Sequence, residues 1–274
     1  MLDECGVCGG DGIAEGECDC DGNVLDECGI CGGAGIAEGA CDCDGNQLDV
    51  IGECGGSCLA DFNGDGLCDW DTTSYWLSVE TVTTHSGGEL DGMTTYRVYM
   101  NMQNESDFMS SCSGDSENPL ILASTTGEWY NNTYAQIWNA QGLNVVFFTF
   151  FPELAYDSFL TIGAEDSTTP GAQHPSTVWG AIVPTEEFVG GPGNNITVDD
   201  AIGGAWYVSF PGTVEPSSHV AFAGEDLRVL VAQFSTAGAI SGQFSCQVFV
   251  NGDQGDEFRQ VLAYSSENQP GQEE

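Results

Sequence analysis

A 23-residue cysteine repeat at the start of the chain constrains the fold most strongly. The stretch LDECGVCGGDGIAEGECDCDGN from Leu2 returns from Leu25 as LDECGICGGAGIAEGACDCDGN, and a degenerate third copy runs to residue 71. Glycine, aspartate and cysteine dominate these units, and apolar residues are few. Because so little apolar surface cannot offset the loss of chain entropy, covalent bonds or metal ions must hold the units together.

The composition changes after this array. Residues 1–71 carry eleven of the 13 cysteines and 18 of the 43 acidic residues, whereas aromatic and β-branched residues become frequent from about residue 73. The sequence therefore predicts a Cys/Asp/Gly-rich arm, a β-sandwich domain and an acidic tail. Their predicted bounds are 1–72 for the arm (units 2–24, 25–47 and 48–71), 73–266 for the sandwich and 267–274 for the tail.

The charge is strongly one-sided. The formal net charge is -40, with three basic residues, all arginine. Such a surface repels phosphate backbones, which excludes nucleic acid as a partner, and its self-repulsion favours bound cations. No apolar run approaches the ~20 residues that span a bilayer, so we expect no membrane span.

Three states are open to the cysteines of the arm: zinc ligands, disulfides or free thiols. Hard carboxylates surround them and no histidine precedes His85, which disfavours zinc. Dense half-cystines are typical of oxidising compartments, so disulfides and a secreted, extracellular or cell-surface location are favoured.

Parity suggests a connectivity. We expect Cys112 to pair with Cys246 in the sandwich, which leaves eleven cysteines and one unpaired. The unpaired residue is then Cys5, and we expect its partner in an earlier repeat or in a neighbouring subunit. Met1 stands where Val24 and Gln47 stand in later units, so we also expect the array to continue before Met1. The expected arm bonds are Cys8–Cys18, Cys20–Cys28, Cys31–Cys41, Cys43–Cys54 and Cys58–Cys68.

The acids are patterned like calcium loops. DFNGDGLCD places oxygen donors at positions 1, 3, 5, 7 and 9 of such a loop, with Gly66 at the sharp turn. A plain acidic turn is the alternative, and position 12 is Thr72 rather than glutamate. The predicted ligands are Asp61, Asn63, Asp65, the Leu67 carbonyl and Asp69, and in two weaker DCDGN loops Asp19, Asp21, Asn23 and Asp26, and Asp42, Asp44, Asn46 and Asp49.

These acid- and cysteine-rich units resemble thrombospondin type 3 repeats and related calcium-binding stalk repeats of secreted microbial proteins. The resemblance covers about residues 2–71 and is carried by DFNGDGLCD. It implies a calcium-ordered, disulfide-linked extracellular spacer.

Beyond the arm, about ten short runs rich in β-branched and aromatic residues are separated by Gly, Asn, Asp and Pro. They include YWLSVETVTT, TTYRVYMNM, VVFFTFF and LRVLVAQFS, and VNGDQGDEF between the last two runs indicates a hairpin loop. Helical periodicity is absent. The prediction is an all-β fold, a jelly-roll-like sandwich.

The sequence favours a structural role. The words TTYRVYMNM and FPELAYDSFLTIGA resemble a domain of secreted proteins and extracellular fibril subunits of aquatic microbes. The three histidines show no metal-ligand or catalytic spacing, so we predict no catalytic residues and no enzyme. The expected function is a subunit that assembles with copies of itself, head to tail, into a fibril or surface layer. The alternative is a secreted adhesin or carbohydrate-binding module on a calcium-stabilised stalk, favoured if aromatics such as Trp129, Tyr130 and Trp138 are exposed in a row.

Three sequons are candidate N-glycosylation sites. Their acceptors are Asn104, Asn131 and Asn195, each close to a predicted turn.

Overall fold

The structure is a computed structural model, and it describes residues 1–61, 64, 66, 68 and 74–267. It separates into two compact units, Met1–Cys58 and Leu59–Glu274. The predicted domain boundary at residues 72–73 lies outside the described residues.

The second unit is built from antiparallel strands, and the described residues contain short 3-10 helices but no α-helix. The strands are β1 (Trp76–Thr84), β2 (Thr94–Asn101), β3 (Phe108–Gly114), β4 (Leu120–Ser124), β5 (Glu128–Trp129), β6 (Phe159–Leu160), β7 (Ser176–Trp179), β8 (Gly193–Asn194), β9 (Ile196–Val198), β10 (Gly204–Tyr207), β11 (Arg228–Thr236), β12 (Ile240–Phe249) and β13 (Glu257–Ser265). The 3-10 helices are Ala140–Gly142, Val145–Thr149, Pro152–Tyr156, Pro184–Phe188, Pro216–Ser218 and Val250–Gly252.

Two sheets form the sandwich. One has the order β1-β2-β11-β6, and the other the order β7-β10-β3-β12-β4-β9. In the second sheet β3 and β4 pair with one edge of β12, and β13 pairs with its other edge. β5 and β8 form a separate two-stranded ribbon. The predicted hairpin between the last two strands is present, because all nine residues of β13 pair with β12. The all-β sandwich prediction is confirmed.

The main core lies between the inner faces of the two sheets. Val98 and Phe234 of the smaller sheet and Trp206 and Phe244 of the larger one are fully buried in one cluster. Trp206 also donates its indole N–H to the Thr161 carbonyl at 3.0 Å. Large side chains from both sheets therefore meet in one layer, as the alternation along each strand requires.

The outer face of the smaller sheet is also covered at its strand β11. Nearly every residue of β11 is buried, because Val229 and Val231 face the main core while Leu230 packs with Tyr99 and Leu143 in a second cluster. Leu143 belongs to the segment between β5 and β6, so this segment lies over the sheet rather than within it.

The run VVFFTFF in that segment is not a strand, and its prediction was wrong. It forms the 3-10 helix Val145–Thr149, which the Asn144 side chain caps by accepting the Val146 N–H at 3.0 Å. Side chains three residues apart share one side of a 3-10 helix. Phe148 packs on the second cluster, whereas Phe147 and Phe150 are exposed.

A central strand was absent from the predicted set. β3, with the sequence FMSSCSG, pairs with β10 and β12 and is almost entirely buried. Its three serines and one glycine have low strand propensity, so the sequence does not indicate a strand here.

Cys112 on β3 lies directly opposite Cys246 on β12, but both are buried free thiols, and the predicted bond is absent. Directly opposite residues have Cβ atoms about 4.5–5.5 Å apart, at or beyond the span of a disulfide. Burial raises the pKa of both thiols.

Candidate functional site

Disulfides join the repeat units of the arm into a ladder. Cys5–Cys20 and Cys28–Cys43 each close one unit, with sequence separations of 15. Cys18–Cys31 and Cys41–Cys54 each join one unit to the next, with separations of 13. If the four cysteines of a unit are numbered in chain order, the first bonds the fourth, and the third bonds the second of the following unit.

This ladder corrects the predicted connectivity. None of the expected bonds Cys8–Cys18, Cys20–Cys28, Cys31–Cys41 and Cys43–Cys54 is present; Cys5 is bonded, and the unpaired cysteine of the array is Cys8. The reason is a tight turn in each unit. Leu2 forms an antiparallel β-bridge with Cys8, and Asp3 donates its N–H to the Val7 carbonyl. The first cysteine, Cys5, therefore lies at the tip of the turn, and the second, Cys8, lies at its base.

In the third unit, Cys54 is the first cysteine in chain order, but it occupies the structural position of a second cysteine. Leu48 bridges Cys54 as Leu25 bridges Cys31, so Cys54 is a second-position cysteine. Counting from these leucines, Ile51 and Gly66 stand where a first and a fourth cysteine would stand, so the closing bond of a unit has no partners here. Cys58 and Cys68 are both disulfide-bonded.

One aspartate in each unit organises the turn. Backbone N–H groups of Cys28, Ile30 and Gly35 donate to the Asp26 carboxylate at 2.9, 2.8 and 2.9 Å. One carboxylate thus accepts hydrogen bonds from three backbone N–H groups. Hydrogen bonds to a charged acceptor are stronger than those between neutral groups. The pattern recurs at Asp3, which accepts from Cys5, Val7 and Gly12, and at Asp49, which accepts from Ile51, Glu53 and Cys58.

A glycine is required opposite each of these carboxylates. A Cβ atom built on Gly33 would lie 2.0 Å from the Asp26 Oδ2, and the corresponding distances are 2.1 Å from Gly10 to Asp3 and 2.0 Å from Gly56 to Asp49. The recurrence of the aspartate with a glycine seven residues later is therefore a folding signal. Sequence reasoning did not find Asp3, although comparing the three units position by position could have.

The DCDGN loops use their carboxylates locally. Asp19 accepts from the Asp21 and Asn23 backbone N–H groups at 3.0 Å and from the Asn23 side-chain amide at 2.6 Å, and Asp42 accepts in the same way from Asp44 and Asn46. These bonds, led by the side-chain amide, lower the pKa of Asp19 and Asp42.

The aspartates predicted as ligands in these two loops do not form a cluster of three with their carboxylates close enough for one metal ion. Within the described part of the chain, one group of three Cys, Asp, His or Glu ligand atoms lies close enough for a metal: Cys41, Asp42 and Cys54. Two of these are bonded to each other as a disulfide. Asp26 and Asp49 accept backbone N–H groups, and calcium binding by the two DCDGN loops stays a prediction.

The stronger loop is described only in part. The Asp61 carboxylate accepts the N–H groups of Gly64 and Gly66 at 2.7 and 3.0 Å, as the first acid of a tight cation loop does. The other predicted ligands, Asn63, Asp65, Leu67 and Asp69, lie outside the described residues. Calcium binding at this loop stays a prediction.

The sequons differ in access. Asn104 and Asn195 are exposed, although the Asn195 amide exchanges two hydrogen bonds with the Ser124 backbone. Asn131 is only 3% exposed, so a glycan there does not fit this fold, and that candidate is corrected.

The aromatic residues expected to decide between functions are not in an exposed row. Trp129 is 1% exposed and stacks on Phe234 in the core, Trp138 packs against the core, and the Tyr130 hydroxyl donates to Glu89 at 3.0 Å. A sugar-stacking role for Trp129 is therefore excluded.

The exposed aromatics lie elsewhere, in a surface that we call the apolar patch: Tyr134, Val146, Phe147, Phe150 and Phe151. Tyr134 is 81% and Phe150 73% exposed. Tyr134, Phe147 and Phe151 of the patch also line a cavity of about 420 Å³, and no charged residue lines it. The segment packs Leu143 and Phe148 on the sheet, whereas Val146, Phe147 and Phe150 remain exposed.

Comparison with known proteins yields little. No family model matches the chain, and no curated protein matches it. The chain is similar to the crystal structure of ACE19, the collagen binding subdomain of the Enterococcus faecalis surface protein ACE, with 7% identity over 72% of this chain and 97% of that chain and a TM-score of 0.26. At that TM-score the similarity assigns no function. Among the described residues no helix has the length and apolarity to cross a membrane.

Replacing Asp26 tests the role of the turn aspartates. Asp26→Ala removes the carboxylate that accepts three backbone N–H groups, so hydrogen-exchange protection at Ile30 and Gly35 should fall at least about tenfold. Asp21→Ala, which removes the same charge from the adjacent exposed loop, should leave that protection unchanged. Equal loss in both variants would assign the effect to net charge rather than to the turn.

The arm should resist mild acid. Backbone donation from Val7 and Ile30 lowers the pKa of Asp3 and Asp26 respectively below the ordinary 3.8. A carboxylate with a lowered folded pKa stabilises the fold fully above its unfolded pKa, and this stabilisation is lost as pH falls through the folded pKa. Titration of the carboxyl carbons by NMR should therefore give midpoints below 3.8, with the arm disordering only below that pH. Midpoints at or above 3.8 would contradict the observed bonding.

Proposed function

We propose that the chain is a secreted, non-enzymatic structural subunit that assembles with copies of itself through the apolar patch. The observation that carries the proposal is the exposure of all five apolar side chains of the patch, three of which, Tyr134, Phe147 and Phe151, line one cavity. Contiguous exposed apolar surface on a folded domain marks an interaction site.

The patch has the strength to serve as an interface core. Full burial of a large apolar side chain contributes about 1.5–3 kcal/mol, and aromatic residues are the usual anchors of protein interfaces. Phe147 and Phe151 also line the cavity, so a side chain from a partner can enter between them.

Charge favours a second copy as the occupant. Two chains that each carry a formal charge of -40 repel each other over most of their surfaces. The cavity lining contains no charged residue, and the segment from Leu143 to Pro152 contains none either. Copies can therefore approach closely at this face without bringing carboxylates together.

The arm fits an extracellular setting. Ten cysteines are in disulfide bonds, which persist in oxidising compartments. Calcium at the Asp61 loop would supply positive charge between acidic chains, and the proposal includes this ion as a partner of the assembly.

An adhesin is the second candidate. Tyr134 and Phe151 are both exposed, with ring centroids 6.3 Å apart, a pair on which a sugar could stack. A purified chain that stays monomeric and binds a glycan through these two rings would favour the adhesin over the structural subunit.

A charged substitution in the patch should prevent assembly. Phe147→Glu places a carboxylate in the interface core and should weaken self-association at least tenfold, about 1.4 kcal/mol, in light scattering at millimolar calcium. Ile202→Glu is the matched control, because Ile202 is 77% exposed and lies outside the patch. A wild-type chain that remains monomeric under these conditions would overturn the proposal.

Calcium binding should depend on Asp61. Calorimetric titration of the wild-type chain should show a site with a dissociation constant on the order of 10⁻⁴–10⁻³ M, the range of extracellular modules. Asp61→Ala should weaken this site by about tenfold or more, since it removes the first ligand of the loop. Asp21→Ala should not; indistinguishable titrations for wild type and Asp61→Ala would remove calcium from the account.

A further inference from the structure

The second-position cysteine of the first unit, Cys8, has no partner in the disulfide ladder. It is an exposed free thiol, whereas its counterparts Cys31 and Cys54 bond the third-position cysteines Cys18 and Cys41 of the units before them. Both internal copies of this position are thus occupied by the same chemical partner.

The turn that presents Cys8 is already formed. Leu2 bridges Cys8 as Leu25 bridges Cys31, and the N–H of Gly9 donates to the Met1 carbonyl at 3.2 Å as that of Gly32 donates to Val24 at 3.0 Å. The Asp3 carboxylate holds this turn in the same way as Asp26 holds the next one. The thiol is therefore displayed in bonding geometry without its partner.

A second observation points to the same occupant. In the later units the glycine after the second cysteine is covered by an asparagine of the preceding DCDGN loop. A Cβ on Gly32 would lie 3.0 Å from the Asn23 side chain, and one on Gly55 would lie 3.3 Å from Asn46. A Cβ on Gly9 would meet no described atom within 4 Å. The surface beside Cys8 is open where the other units receive a loop.

We propose that Cys8 and Gly9 form an acceptor for the Cys-Asp-Cys-Asp-Gly-Asn loop of a further repeat unit of this kind. Its third-position cysteine bonds Cys8, and its asparagine covers Gly9. Cys18 and Cys41 are both already bonded, so the loop comes from outside residues 1–274, in the same polypeptide or in another. The proposal concerns the arm alone and holds whether or not the apolar patch self-associates.

The bond can form by thiol–disulfide exchange. The Cys8 thiolate attacks the partner cysteine, which is held as a mixed disulfide with glutathione. One S–S bond forms between the two protein sulfurs, one S–S bond to glutathione breaks, and glutathione leaves as a thiolate that takes a proton from water. No net oxidation is required.

The test uses the intact chain and a synthetic probe. The probe is the peptide of residues 14–24 with Cys20→Ser, so that Cys18 is its one thiol, supplied as the glutathione mixed disulfide. At exchange equilibrium, intact mass should show Cys8 bonded to the peptide at least tenfold more than to glutathione. A peptide that also carries Asp19→Ala and Asn23→Ala should lose this preference, because its loop no longer forms, and a Cys8→Ser chain should form no adduct. Equal preference for both peptides, or an inert Cys8, would overturn the proposal.

Native material distinguishes the two sources of the loop. Non-reducing peptide mapping should find Cys8 bonded to a cysteine that precedes Asp-Cys-Asp-Gly-Asn. If the loop lies in the same polypeptide, reduction leaves one chain; if it lies in another, reduction separates two chains. A Cys8–Cys8 or Cys8–glutathione bond in its place would contradict the proposal.

Discussion

The arm depends on one repeated interaction, a carboxylate that gathers three backbone N–H groups. Asp3, Asp26 and Asp49 do in each unit what a hydrophobic core does in a larger domain, since they fix the turn on which the cysteines are placed. The disulfides then join turns that are already shaped. The same acids that order the arm locally also contribute to the net charge of -40, so each ordered turn adds to the repulsion between copies.

The sandwich unit exposes apolar side chains on a segment that carries no charge from Leu143 to Pro152. Strand β11 of its smaller sheet is buried on both sides, because the segment between β5 and β6 packs Leu143 and Phe148 on the outer surface. That segment cannot bury its own far side, and Phe147, Phe150 and Phe151 remain in solvent. An uncharged apolar surface on an otherwise acidic chain is therefore a consequence of covering the sheet with a short 3-10 helical layer, and it is the face on which the proposed assembly depends.

The sequence predicted the strands with clear alternation, such as β2 and β11, and the disulfide-rich arm. It failed where a local signal conflicts with tertiary packing. VVFFTFF has strand propensity, but Asn144 caps it as a 3-10 helix over the sheet. FMSSCSG has little strand propensity, yet as β3 it occupies the centre of the larger sheet. The disulfide connectivity was wrong because the third unit was aligned on Cys54 as a first cysteine, whereas the Leu48 bridge makes it a second. Pairing rules depend on three-dimensional turns, which cysteine counting does not supply.

The central claim is that copies of this chain assemble through the apolar patch. Electron cryomicroscopy of material taken directly from its natural source tests it without prior assumptions about conditions. The account predicts a filament or layer in which Phe147 and Phe150 are buried against a neighbouring copy. Separate particles, or an ordered assembly in which these side chains face solvent, would contradict it.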